Sequence, residues 1–172
     1  YDSIKVRLES LCDGEAVSSS VYVSAKFIPS CSQVIVSVPL SNWVYNKETA
    51  FNADRTTKPL LINLMGYSTN FSSFKKIDLE YRLSTAPNWT RLHTYYKTKA
   101  FLDAGTETSG KDTIGSQTTL SYAFNIANLS LPDGVYEIRA RSTCTNNTEF
   151  ISDLSTGRVD LTAPVKFGTP LP

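Results

Sequence analysis

Apolar and polar residues alternate with a period of two along most of this chain, and that rhythm fits strands rather than helices. Ile77, Leu79, Tyr81 and Leu83 point one way in an extended chain, and Lys76, Asp78, Glu80 and Arg82 point the other. Leu120, Tyr122, Phe124 and Ile126 repeat the pattern, as do Ile4, Val6 and Leu8 with Lys5, Arg7 and Glu9 between them. Shorter apolar runs at 33–38, 60–64, 91–97, 135–142 and 157–161 complete a set of about seven short strands in the middle and end of the chain. No amphipathic helix competes with them. Residues 39–58, with Trp43 and Tyr45, read as irregular. The Gly-, Ser- and Thr-rich stretch 103–117 reads as the longest loop and is expected to be mobile. Turn-linked strands in this number predict an all-β fold, an antiparallel immunoglobulin-like β-sandwich.

The end of the chain resembles its beginning. Lys5-Val6-Arg7-Leu8-Glu9-Ser10-Leu11-Cys12 reads like Glu137-Ile138-Arg139-Ala140-Arg141-Ser142-Thr143-Cys144, and the cysteines stand 132 residues apart (144 less 12). In both places a polar turn, a second alternating strand and a proline (Pro29, Pro164) follow. Self-similarity at one domain length marks a tandem array. The expected division is 1–30 as the C-terminal hairpin of a preceding repeat, 31–164 as one complete sandwich, and 165–172 as a linker or the start of the next repeat. With 17 basic and 16 acidic residues the net charge is +1. That balance argues against nucleic acid or an acidic membrane as the main partner. No apolar run reaches membrane-spanning length, so membrane insertion is not expected. The charges alternate with apolar residues and form no block, which reads as solvated strand faces. The chain starts at Tyr1 inside a strand-like run, so any targeting sequence is expected outside it.

Leu131-Pro132-Asp133-Gly134-Val135-Tyr136, leading into Glu137-Ile138-Arg139-Ala140-Arg141-Ser142, resembles the penultimate strand of a fibronectin type III domain. The resemblance implies that the Tyr136 ring fills the core edge while its hydroxyl bonds to backbone upstream, a tyrosine corner. It also implies that Gly134 takes a backbone conformation other residues tolerate poorly. The family's tryptophan in the second strand is absent, since that stretch is Leu60–Leu64, and 39–58 and 103–117 exceed the usual module.

Leu79-Glu80-Tyr81-Arg82, then Trp89, then the Leu131–Tyr136 turn, is similar to repeats of very large secreted Bacteroidota surface proteins. Some of these are gliding adhesins exported by the type IX system. That resemblance implies an extracellular or cell-surface location and a structural or adhesive repeat in a long fibre. The implied partners are neighbouring repeats and a surface glycan or protein ligand. It also implies O-glycosylation at Asp-Ser/Thr-apolar sites, here Ser3 (in Asp2-Ser3-Ile4) and Thr113 (in Asp112-Thr113-Ile114), Thr113 being the better acceptor because of its loop. Asn70, Asn88, Asn128 and Asn146 head Asn-x-Ser/Thr sequons, which a chain this rich in Asn, Ser and Thr produces readily.

The three cysteines are read through the fibronectin-like strand order. Cys12 would end a penultimate strand and Cys31 follow a final one, which places them at opposite poles. A six-residue strand rises about 20 Å, against about 7 Å between bridged Cα atoms. Cys31 and Cys144 instead share a pole, and a bridge between them would close a loop worth about 4–5 kcal/mol by the chain-entropy model. Cys12 would pair upstream of Tyr1. Three free buried thiols are the alternative.

No catalytic signature accompanies His93, the only histidine, and no phosphate loop or zinc spacing occurs. The chain is not expected to be an enzyme or to need a cofactor. Asp103, Glu107 and Asp112 share one loop, and Asp153 and Asp160 flank a linker. Such oxygen-rich segments can hold calcium, but the spacing matches no defined loop, so no metal is expected. Trp43 and Trp89, with Tyr45, Tyr95 or Tyr96, offer flat rings for a sugar platform, the alternative being core packing. A carbohydrate-binding β-sandwich module appended to a secreted enzyme is therefore the second reading. Tyr95 and Tyr96 are adjacent, so only one of them could join such a platform.

Overall fold

Two β-sheets packed around one apolar core make up residues 31–162. The computed structural model describes residues 3–8, 11–16, 21–26 and 31–162. The chain divides into two compact units, Tyr1–Ser30 and Cys31–Pro172. The described residues of the first unit form β1 (Ser3–Leu8), β2 (Leu11–Cys12), β3 (Glu15–Ala16) and β4 (Val21–Lys26). The second unit holds β5 (Ile35–Val38), β6 (Trp43–Asn46), β7 (Leu60–Met65), β8 (Phe74–Leu83), β9 (Thr90–Tyr96), the short helix α1 (Lys99–Asp103) and β10 (Lys111–Thr113). It continues through β11 (Leu120–Phe124), a 3-10 turn (Ile126–Leu129), β12 (Gly134–Cys144), β13 (Glu149–Ile151) and β14 (Ser155–Asp160).

The smaller sheet has the order β11-β7-β5. The larger has the order β10-β9-β8-β12-β14-β6, with β13 also on β12. The alternation read from the sequence supplies the facing layers. Ile62 and Leu64 on β7 and Leu120 and Phe124 on β11 are buried, as are Ile77 and Leu79 on β8, Tyr136 and Ile138 on β12, and Val159 on β14. This is the β-sandwich that the alternation predicts. At about 25 cal/mol per Å² of apolar surface, each fully buried side chain of this size contributes roughly 1.5–3 kcal/mol.

Three local expectations are corrected. Residues 39–58 are not irregular throughout, because the chain changes sheets there. β5 pairs antiparallel with β7, and β6 then runs parallel to β14, Trp43 opposite Gly157 and Asn46 opposite Asp160. Ser155 Oγ donates to the Pro39 carbonyl and the Asn42 amide to the Thr156 carbonyl at 2.6 Å, which pins the crossing. Beyond β6, Tyr45 donates to the Lys58 carbonyl at 2.6 Å and Ala50 is fully buried, so the arch folds onto the core. The stretch 103–117 is likewise built in rather than free. It contributes β10, parallel to β9, and it buries Ile114 completely. Finally, Gly134 is not in the left-handed backbone region. A Cβ there would stand 2.7 Å from Leu83 Cδ1, so what the position needs is space.

In the first unit β1 pairs antiparallel with β4 from Ser3↔Lys26 to Leu8↔Val21. This register superimposes on that of β12 with β14 at one constant offset. Ser3↔Lys26, Ile4↔Ala25, Lys5↔Ser24 and Val6↔Val23 correspond to Val135↔Arg158, Tyr136↔Gly157, Glu137↔Thr156 and Ile138↔Ser155. Both members of every pair move by the same 132 residues (135 less 3, 158 less 26). Ile4 takes the place of Tyr136 and Ala25 that of Gly157. The stretch 165–172 lies outside the described residues.

Among the described glycines, Gly157 leaves the least room for a side chain. Its backbone faces the Trp43 indole, and a Cβ built on it would overlap ring carbons of that indole. Gly157→Ala must therefore push β6 off β14 or force Trp43 from the core. The expected loss is about 2–3 kcal/mol, measured as a fall in the denaturant midpoint, and Thr156→Ala next to it should change the midpoint little.

Candidate functional site

Two features stand out on the second unit: a covalently closed pole, and the outer face of the larger sheet. At the pole, Cys31 and Cys144 form a disulfide with their Cα atoms 5.3 Å apart. Both cysteines are buried. Ser142 Oγ, two residues before Cys144, donates to the Ser32 carbonyl at 2.6 Å, and the Ser68 amide donates to Ser32 Oγ. The first residues of the unit are thus tied to the end of β12 by a covalent bond and a buried hydrogen bond. At the other end of β12, Tyr136 is buried and its hydroxyl donates to the Pro132 carbonyl at 2.9 Å. Asp133 beside it accepts from the Leu161 and Thr162 amides at 2.7 and 3.1 Å, which holds the exit of β14.

The outer face of the larger sheet is an ionic lattice. Register sets Asp78 opposite Arg141, Glu80 opposite Arg139 and Arg82 opposite Glu137. Opposite charges directly across antiparallel strands are the favourable cross-strand pairing. Arg139 Nε meets Glu80 Oε2 at 2.8 Å, Arg141 meets Glu80 Oε1 at 2.8 Å, and Arg82 Nε meets Glu137 at 2.7 Å. Asp78 accepts from Thr94 Oγ1 at 2.7 Å and pairs with Lys76 at 3.0 Å. Asp78 is 1 % and Glu80 5 % exposed. The expectation of a solvated face is therefore corrected at the centre of β8. These carboxylates are buried, which is tolerable because each meets cationic donors.

Trp89 crowns the lattice. The Arg82 and Arg139 guanidinium groups lie 4.5 and 4.0 Å from its ring centroid. Trp43 is in the core at 8 % exposure, against Gly157, and Tyr45, Tyr95 and Tyr96 are buried too. The proposed sugar platform is corrected accordingly. Trp43 belongs to the packed interior and Trp89 to the outer face, so the two rings do not converge. Burial raises the Tyr95 hydroxyl to about 12.

The segment after α1 joins the lattice through Glu107. It accepts from the Tyr96 hydroxyl and pairs with Lys76 at 3.3 Å, beside a groove of about 370 Å³ lined by Lys75, Phe101, Ala104 and Thr106. Burial opposes the charge on Glu107, but the Tyr96 and Lys76 contacts outweigh it and hold the carboxyl down to about 2. Burial and the bond to Glu107 together raise the Tyr96 hydroxyl above its ordinary value.

The remaining sequence candidates fall as follows. Thr113 lies in β10, half-buried and opposite Tyr96, rather than in a free loop. Ser3 opens β1 opposite Lys26. His93 faces inward, its ring 4.5 Å from Tyr95 and 5.5 Å from Tyr122. Asp112 stands 3.2 Å from its Nε2. Burial lowers the His93 value, with Asp112 opposing. The carboxylates weighed for calcium are dispersed. Asp103 pairs with Lys99, Glu107 with Lys76, Asp112 with His93, and Asp160 lies near Arg158. Among the described residues no group of three or more metal-ligating side chains converges.

No family model matches the chain, and no curated protein matches it. One solved structure, described as fibronectin(III)-like modules of Clostridium thermocellum CbhA, is similar at 11% identity with a TM-score of 0.39, over 77% of this chain and 100% of that chain.

Glu107 gives the fold an acid-sensitive contact whose sign is fixed. Its folded value is depressed, so the contribution is complete above the unfolded carboxylate value and disappears as pH falls toward 2. Glu107→Gln should be less stable than the wild type at pH 7. The gap should close as pH is lowered from about 4.5 to about 2, as read by denaturation at each pH.

Proposed function

We propose that this chain is part of a tandem array of fibronectin III-like modules in a secreted or cell-surface fibre, with a structural and adhesive role. The observation that carries the reading is the constant 132-residue offset between the β1/β4 and β12/β14 hairpins, which holds on both strands at once. A chance likeness of two strands would leave the partner strands unconstrained. A repeated module constrains them, because the same hairpin must fill the same place in each copy.

An extracellular setting is supported by the Cys31–Cys144 disulfide, since such bonds persist in oxidising compartments. Among the described residues, no helix is long and apolar enough to cross a membrane. The module's chemistry is that of a rigid spacer. The charges at the centre of its larger sheet are consumed in cross-strand pairs, Trp43, Tyr45, Tyr95 and Tyr96 are packed, and its lone histidine is wedged between tyrosines. The adhesive function, with a glycan or protein ligand, belongs in this reading to loops or other modules of the fibre. The strand motif around Leu79–Arg82 and Trp89 favours a surface adhesin of the gliding type as the parent molecule.

The test is the protein sequence flanking this chain. Further sandwiches should recur at about 130-residue spacing. By the repeat, Cys12 occupies the place of Cys144, so its partner should stand about 113 residues before it, the separation seen in the closed module. A flanking catalytic domain with no repeat on either side would contradict the proposal.

A further inference from the structure

We infer that the Cys31–Cys144 bond routes tension around the fold, so that the oxidised module is an almost inextensible link and most of its residues never bear load. The inference rests on the array reading for its use, but its geometry belongs to the module alone.

Tension in a chain follows covalent bonds. Pulled from residue 30 and from residue 163, the shortest covalent path enters at Cys31, crosses the disulfide to Cys144 and leaves along the last stretch, 145–162. The bridge spans 113 residues of sequence. Strands β5 to β11 and almost all of β12 lie inside that closed loop. They hold most of the core, including Ile62, Leu64, Ile77, Leu79, Phe124 and Ile138. Only β13 and β14 lie on the loaded path. Fully extended, about 18 residues reach at most about 65 Å, whereas about 131 residues without the bridge would reach about 470 Å.

The loaded stretch is itself held in a resistant geometry. β12 ends at Cys144, on the closed pole, and begins at Gly134, where Asp133 holds the Leu161 and Thr162 amides. Force therefore enters at one end of β12 and leaves past the other, along the strand direction. β14 is loaded in shear, between β12 on one side (Gly134↔Val159 to Ile138↔Ser155) and β6 on the other (Gly157↔Trp43 to Asp160↔Asn46). Ladder bonds in shear must break together, whereas bonds peeled from an end break singly. Val159 is fully buried beneath this ladder. Slip of β14 would expose Val159 and drag Gly157 past the Trp43 indole.

Reduction removes the bypass. A dithiol attacks the bridge by exchange. It delivers two electrons and two protons, leaves Cys31 and Cys144 as thiols, and is itself oxidised to a disulfide. The whole module then lies in series with the load.

Single-molecule stretching of the full chain, with non-thiol handles at its two ends, tests this. The comparison is between oxidised protein and the same protein in a dithiol, with Cys31→Ser/Cys144→Ser as a second reduced form. In the dithiol, unfolding of the larger unit should release about 400 Å of contour length that the oxidised protein never releases. If the double variant fails to fold, wild type reduced after folding carries the comparison. Release of the full length by oxidised protein, or an identical release with and without dithiol, would overturn the inference. The result does not depend on neighbouring modules, so flanking sequence that lacks repeats would defeat the array reading and leave this measurement standing.

Discussion

Strand β12 is fixed at both ends, and the rest of the larger unit is organised from it. At its start the Tyr136 hydroxyl grips the Pro132 carbonyl, and at its end Cys144 is bonded to Cys31. Between those anchors one side of β12 carries β8 and the other carries β14 and β13. Its inward residues Tyr136, Ile138 and Ala140 supply core, and its outward Glu137, Arg139 and Arg141 supply half of the ionic lattice. A slip of one residue along β12 would turn every one of these side chains to the wrong face. The two end anchors, and charges that match in only one register, make that slip costly.

The lattice shows how a sheet can bury charge without losing its outer face to the core. Asp78 and Glu80 are closed off from water, yet Thr94, Lys76, Arg139 and Arg141 supply donors to them. Removing one member would strand the others, which is where such networks become expensive. The arginines keep partial exposure and one pair of them packs on Trp89. The stacked indole covers the guanidinium groups with apolar surface while leaving their edges free for carboxylates.

What was legible in the sequence follows from what is local. The alternation of Ile77 to Leu83 and of Leu120 to Phe124 announces strands because side-chain direction depends only on position along the strand. The Tyr136 corner is local too, since its partner is four residues away. The constant offset between hairpins was visible as a likeness of two strands, and pairing extended it to four. Longer-range features were hidden. β6 is four residues long and its parallel partner β14 lies more than a hundred residues on, so no period marks it and Trp43 looked free for a ligand. Ile114 plugs the core from a stretch whose glycines and serines read as a loop. The burial of Asp78 was invisible because alternation tells which face a residue takes and says nothing of what covers that face.

The link on which the rest of the larger unit depends is the Cys31–Cys144 bond, which joins its first residue to the end of β12. Digestion of the full chain under non-reducing conditions, with mass analysis of the cross-linked peptides, tests it most directly. The account predicts a peptide pair containing Cys31 and Cys144 that separates on reduction. A pair joining Cys12 to Cys31 would contradict it.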